Sequence, residues 1–372
     1  MKRITASLIV FVFCLLAISC SNDDDNDNGN GTLKVSGTVM SPNNGFPISR
    51  AKVKIFKGGD LISEKTTDAV GAFVIDDLPN GSMTVELSKG KFKRVIEIDL
   101  QSDYVIPMNQ RTLNIFPRMA VVRGSYDEIE QVLVNVGIID TLTLAPAFDI
   151  VSGSFSDRSA SVSHGHGDAV ERNVTSLPPN VSFTFNDLLH NTTLLADYDI
   201  IFLNCGAKEE FASDPIATAN LKTFIENGGI VYATDWMYKY VQAMFPAPDY
   251  LNFAWPEKGG TSLTANVQVL NTDLAAWLEN QGVTITPNIL LQGFLGSWQM
   301  VDTFNSDNVT GWLQADNVIY GGIPHPNKEL AFTFEYGDGG VFYSSFHTHG
   351  NDSAEDAIVQ MMNYFIFELS SL

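Results

Sequence analysis

The residues of this 372-residue chain best equipped for chemistry fall into two groups. Four of its six histidines form two His-x-His pairs, His164-Gly165-His166 with Asp168 close behind, and His347-Thr348-His349. Imidazole is a base near neutral pH and a common ligand of zinc and its neighbours. On extended backbone the two rings of such a pair lie about 6–7 Å apart, so they share an ion only where the backbone bends. If both loops met, with Asp168 or Asp235 supplying a carboxylate, they would hold a divalent metal; a Ser/Gly/His-rich surface loop is the plainer account of the first pair. The second group is Asn204, Cys205, Thr234, Asp235 and His347, a possible hydrolytic set. Attack by Cys205 requires an exposed thiol with a lowered pKa, and attack by Thr234 requires a base. The plain alternatives are a Cys205 buried as a small hydrophobe beside Gly206, and a His347/His349 pair hydrogen-bonded at a rim.

What would bring the second group together is a parallel sheet. Met119-Ala120-Val121-Val122, Asp199 to Asn204 and Ile230-Val231-Tyr232-Ala233 are continuous apolar runs, as expected of strands covered on both faces. Between them run helical patterns. Ile129, Leu133 and Val136 follow Asp127, read as an N-cap, and Ala217 to Glu226 ends at Asn227-Gly228-Gly229. A last strand, Gly339 to Phe346, delivers His347 and precedes a helix over about 354–369 with Ile358, Met361, Met362 and Phe365 on one stripe. Strand, helix, strand with Gly-marked links predicts an α/β domain with a mostly parallel, doubly wound, flavodoxin-like sheet over 110–372. Carboxyl ends of such strands face a ligand crevice. An aromatic-rich stretch at about 245–320, with Phe253, Trp255, Trp277, Phe294, Trp298 and Trp312, reads as an insertion over it. Exposed aromatics there, Trp255 above all and Trp236 nearby, would stack on sugar rings; the alternative is that they are core.

Residues 32–108 are patterned differently. Short alternating runs at Val35–Val39, Ala51–Ile55, Ala72–Ile75 and Met83–Leu87 are broken by Pro42-Asn43-Asn44-Gly45, Gly58-Gly59 and Pro79-Asn80-Gly81, which predicts a small all-β sandwich. The phrases Gly37-Thr38-Val39, Pro47 to Val53, Thr67-Asp68-Ala69-Val70-Gly71-Ala72-Phe73 and Leu78-Pro79-Asn80-Gly81 resemble the carboxypeptidase regulatory-like (transthyretin-like) domain. The resemblance implies a spacer or binding module and no catalysis, with a tight turn at Thr67–Gly71 leading into a strand that buries Phe73.

At the amino terminus Lys2 and Arg3 precede an apolar run from Leu8 to Ile18 that is too short to span a bilayer, and small residues lead to Cys20. This resembles the lipobox of bacterial lipoproteins, with residues 1–19 as signal peptide and Cys20 as the acylated first residue. Residues 20–31, acidic and without apolar side chains, read as a flexible tether and resemble that of surface lipoproteins of Bacteroidetes-type bacteria. An outer-membrane, surface-exposed location follows from that resemblance. A formal charge of −21 excludes nucleic acid as a natural partner and leaves the lipid as the means of membrane attachment. With Cys14 in the signal peptide and Cys20 carrying the lipid, Cys205 has no partner for an intrachain disulfide.

The segments Tyr198–Tyr240 and Gly339–Gly350 resemble the class I glutamine amidotransferase-like superfamily, and within it the trehalose-utilisation-protein-like group. In catalytic members of that superfamily the nucleophile is a Cys on a Gly-flanked turn after the strand that here begins at Ile230. This chain reads Tyr232-Ala233-Thr234-Asp235-Trp236, without Cys or Gly. Glutaminase activity is therefore not expected, and no cofactor beyond the divalent metal already considered is implied. The sequence points to a surface lipoprotein whose α/β domain binds a ligand such as a carbohydrate or a surface protein. The competing readings are a hydrolase or metal-dependent enzyme using His347, and a structural component of a surface complex.

Overall fold

The structure, a computed structural model, describes residues 32–153, 177–294, 296–348 and 357–369. A small β-sandwich precedes an α/β domain with a large mixed sheet. The sandwich strands are β1 (Leu33–Thr38), β2 (Lys52–Lys57), β3 (Asp60–Thr66), β4 (Ala72–Leu78), β5 (Gly81–Lys89), β6 (Phe92–Leu100) and β7 (Tyr104–Val105). They form sheets of order β4-β1-β7 and β3-β2-β5-β6. The period-two pattern works as expected: Val53, Ile55, Phe73, Ile75, Met83, Val85 and Leu87 point into the core. At the turn before β4 the Asp68 carboxylate accepts from the N–H groups of Val70 (3.0 Å) and Ala72 (2.8 Å), and Gly71 takes a φ of +70°. An Asx turn closed by a left-handed glycine explains that sequence phrase physically.

The α/β domain contains β8 (Met119–Val122), α1 (Ile129–Val136), β9 (Asp149–Val151), α2 (Phe185–His190), α3 (Thr192–Leu195), β10 (Ile200–Leu203), α4 (Pro215–Glu226), β11 (Ile230–Thr234), α5 (Tyr238–Met244), β12 (Leu251–Phe253), β13 (Leu263–Val269), α6 (Thr272–Asn280), β14 (Ile289–Phe294), β15 (Val301–Phe304), β16 (Thr310–Tyr320), β17 (Ile323–Tyr336), β18 (Gly339–Ser344) and α7 (Ala357–Leu369). Nine strands form one sheet of order β14-β13-β16-β17-β18-β11-β10-β8-β9. The five from β18 to β9 are parallel, and β17, β16, β13 and β14 continue antiparallel. Alternate residues of the parallel strands feed two cores. Val121, Phe202, Tyr232 and Phe342 pack with α1, α6 and α7, while Val122, Leu203, Ala233 and Tyr343 pack with α2, α4 and α5. Burial on both faces is why these strands read as unbroken apolar runs.

Three strands of the 245–320 region, β13, β14 and β16, belong to this sheet, and β12 pairs with β15. Its aromatics are correspondingly internal. Phe253, Trp277, Phe294, Trp298 and Trp312 are 0–6% exposed, so the core account holds for them, and Trp255 alone of the six is open to solvent.

The sandwich joins the core of the α/β domain. Phe46 meets Trp277 and Phe367 edge-on at 5.2 and 5.9 Å, and Phe92 lies 4.8 Å from Phe367. Around them Lys89 pairs with Glu368 at 2.5 Å, both side chains largely covered, and Arg50 pairs with Asp273. No helix of the described residues is long and apolar enough to cross a membrane.

Candidate functional site

Register brings the candidate residues together. Val122, Leu203, Ala233 and Tyr343 lie side by side across β8, β10, β11 and β18, so the residues that follow them emerge at one edge of the sheet. After β10 come Asn204 and Cys205, after Ala233 come Thr234 and Asp235, and three residues beyond β18 comes His347. The loop after β8 must lie against the Asn204–Cys205 backbone, and two glycines permit this. A Cβ on Gly124 would stand 2.0 Å from the Cys205 carbonyl oxygen, and Gly206, at φ +86°, faces the Ser125 N–H.

The hub of the cluster is Asp127, which sequence reasoning placed at a helix cap. The residue before α1 is Glu128, which makes no side-chain cap, and Asp127 turns across the strand tips instead. Its Oδ2 accepts from the Cys205 N–H at 2.9 Å and from the Thr234 hydroxyl, and its Oδ1 accepts from the Thr348 N–H at 2.7 Å. Three neighbouring strands are thereby tied to one carboxylate. Thr234 also accepts from the Cys205 N–H at 2.8 Å.

Asp235 occupies the strand-to-helix elbow with φ +38°, a left-handed backbone costly for a residue with a Cβ. Its Oδ1 accepts from the Gln299 N–H at 2.7 Å. Its Oδ2 lies 3.3 Å from His347 Nε2 and 3.8 Å from Cys205 Sγ. All of these side chains are buried, His347 at 3% exposure and Cys205 and Asp235 at 0%. Burial pushes the Asp235 carboxyl up, opposed in part by His347. Burial, then the Asp235 and Asp127 carboxylates, push the Cys205 thiol well up. Burial alone would lower the His347 imidazole, but Asp127 and Asp235 hold it above its ordinary value.

Asn204 is engaged with α1: its Nδ2 donates to Glu130 Oε2 at 2.9 Å. Trp236 is 8% exposed, donates to the Ser297 carbonyl at 2.8 Å and carries the Lys258 ammonium 3.6 Å above its ring. Trp255 is a surface residue at 84% exposure, and His164, His166, Asp168, His349 and Cys20 lie outside the described residues. Of the four histidines expected from sequence to hold a metal, His347 alone is described. Sequence reasoning missed Asp127 as hub, Glu130, Gln299 and Thr348. Glu130 left a trace, an acid three residues before Leu133 on the buried face of α1.

Glu130 is 1% exposed, and burial raises its carboxyl from 4.5 to about 7, against the pull of Arg123 and Asn204. A folded-state pKa above the unfolded one gives a contribution that is complete below pH 4.5 and lost as pH rises through about 7. Over that window the wild-type protein should lose about 3 kcal/mol relative to Glu130→Gln, which keeps the acceptor and removes the titration. Urea unfolding of both proteins from pH 4.5 to 8 measures it. Parallel stability curves would show that Glu130 titrates normally.

Comparison with known proteins adds to the description of the sandwich. Residues 34–111 match the carboxypeptidase regulatory-like domain. No curated protein matches the chain. Among solved structures, a cytoplasmic protein of Salmonella typhimurium is similar at 11% identity and TM-score 0.37, covering 67% of this chain and 98% of its own. A GMP synthase component of Thermoplasma acidophilum gives 10% and 0.36, covering 68% and 94%. A ThuA-like protein of Parabacteroides merdae gives 12% and 0.33, covering 68% and 88%. Identities and scores of this size transfer neither an activity nor a set of site residues.

Proposed function

We propose that this chain is a lipoprotein, acylated at Cys20 and tethered by residues 20–31 at the outer surface of a bacterium, whose glutamine amidotransferase-like α/β domain is a binding module without glutaminase activity. The observation that carries the second half is at the elbow. The position of an attacking sulfur is held by Asp235, whose carboxylate is bonded to the Gln299 N–H and faces His347. Cys205 sits one strand away, just after β10, with its backbone N–H already committed to Asp127 and Thr234. A nucleophile needs an exposed atom beside free N–H donors, and neither side chain has that setting.

Purified protein incubated with glutamine should release no ammonia above a heat-treated control. Glutamine hydrolysis that disappears in Cys205→Ser would overturn the reading. For the ligand, the exposed indole of Trp255 favours a carbohydrate, since flat apolar ring faces stack on indole. On a glycan array, Trp255→Ala should weaken any binding about tenfold, equivalent to about 1.4 kcal/mol. An array without binders removes the carbohydrate version. The anchoring half is tested by metabolic palmitate labelling, which Cys20→Ala should abolish.

A second reading, a hydrolase, is favoured by one feature, the left-handed elbow at Asp235 next to His347. It requires substrate to reach a carboxylate that is 0% exposed.

A further inference from the structure

We propose that Asp127, Cys205, Asp235 and His347 together bind one zinc-class divalent ion at the tips of the parallel strands, as a closed structural site. The proposal goes beyond the binding reading above and stands independently of it.

The first argument is geometric. Donor atoms of Asp127, Cys205 and His347 all lie within 4.8 Å of one another. Asp235 Oδ2 stands beside two of them, 3.3 Å from His347 Nε2 and 3.8 Å from Cys205 Sγ. Bonds to zinc of about 2.0–2.3 Å put tetrahedral ligand atoms about 3.4 Å apart for N and O, and about 3.6 Å apart for S and O. The Asp235 edges already have those lengths. The Asp127 side closes from within 4.8 Å of Cys205 and His347, a movement of up to about 1.4 Å.

The second argument is charge. Asp127 and Asp235 are 2% and 0% exposed. Buried carboxylates demand compensation, which one imidazole supplies only in part. A divalent ion between them supplies it in full. The third is support: Asp127 is oriented by the N–H groups of Cys205 and Thr348 and by Thr234, and Asp235 by Gln299, as ligating carboxylates usually are.

The donor set selects the ion. A thiolate with an imidazole suits zinc, cobalt or ferrous iron and disfavours magnesium and calcium, which take oxygen ligands. Four protein ligands with none open to solvent make a structural rather than a catalytic centre. On binding, Cys205 gives its thiol proton to water, and His347 gives up any second ring proton, so uptake releases protons.

Cobalt reports the site. The purified full chain carrying Cys14→Ser and Cys20→Ser, so that any sulfur ligand is Cys205, is stripped with chelator and titrated with Co2+. Expected are one ion per chain, the visible spectrum of tetrahedral cobalt with a thiolate charge-transfer band, and displacement by Zn2+. Cys205→Ser should lose that band, and Asp235→Asn should weaken Co2+ binding about tenfold or more. No uptake overturns the proposal. So does a spectrum that Cys205→Ser leaves unchanged, or binding lost on changing His164 and His166 instead. If Cys205→Ser fails to fold, zinc-edge X-ray absorption on the parent protein decides: one sulfur in the coordination shell supports the site, and a shell of nitrogen and oxygen alone refutes it.

Discussion

Asp127→Ala should destabilise the chelator-treated protein by about 4 kcal/mol, because three hydrogen bonds to one buried carboxylate vanish together. The Thr348 N–H loses its acceptor outright. The Cys205 N–H keeps Thr234, and the Thr234 hydroxyl can turn to the Leu203 carbonyl at 3.3 Å, which sets the figure below the gross loss of three charge-assisted bonds. Asp127→Asn, which retains one carbonyl acceptor, should cost about half as much. Chelation removes any contribution from a bound ion, so urea unfolding reads the hydrogen bonds alone. A loss under about 1 kcal/mol in the Ala variant would show that the strand tips hold together without Asp127.

The second large effect lies at the junction of sandwich and α/β domain. Phe92 is 0% exposed, sits at the start of β6 and packs against Phe367 of α7 and Phe116. Phe92→Ala should cost about 4 kcal/mol, the usual range for emptying a buried aromatic site that cannot collapse. Because Phe92 is in one hydrophobic cluster with both the sandwich and the sheet, the two should still unfold in a single transition at a lower midpoint. Circular dichroism follows the whole chain, and tryptophan fluorescence follows the α/β domain, which holds all five tryptophans. Separate transitions in the wild-type protein would mean that the shared core does not couple the two parts.

Much of the fold is legible in the residues because each signal is local. The alternation in Val53, Ile55, Val85 and Leu87 follows from the pleat of a strand, and the Asp68–Gly71 turn from a side chain bonding its own backbone. Unbroken apolar runs at Met119–Val122 and Ile200–Leu203 disclose strands covered on both sides. Strands β3 and β6 are harder to find. Asp60–Thr66 is polar or exposed along most of its length, and Phe92–Leu100 carries charged residues on its outer face. The antiparallel continuation through β17, β16, β13 and β14 escapes as well, since a strand's direction depends on a partner far away in the chain.

The same division applies to the site. Sequence alone determined that no Cys stands after Ala233, that Asp235 and His347 follow strands, and that Gly206 follows Cys205. It also suggested that these would meet at strand tips. Only the tertiary structure decided that Asp127 leaves its helix to bind three strands, that Asp235 takes the left-handed elbow, and that Trp236, Trp277, Trp298 and Trp312 are core or nearly so while Trp255 is open. The reason is one of range. Periodicity and turn chemistry are set by neighbours within a few residues, whereas a buried carboxylate chooses its partners from whatever the register of distant strands places within hydrogen-bond reach.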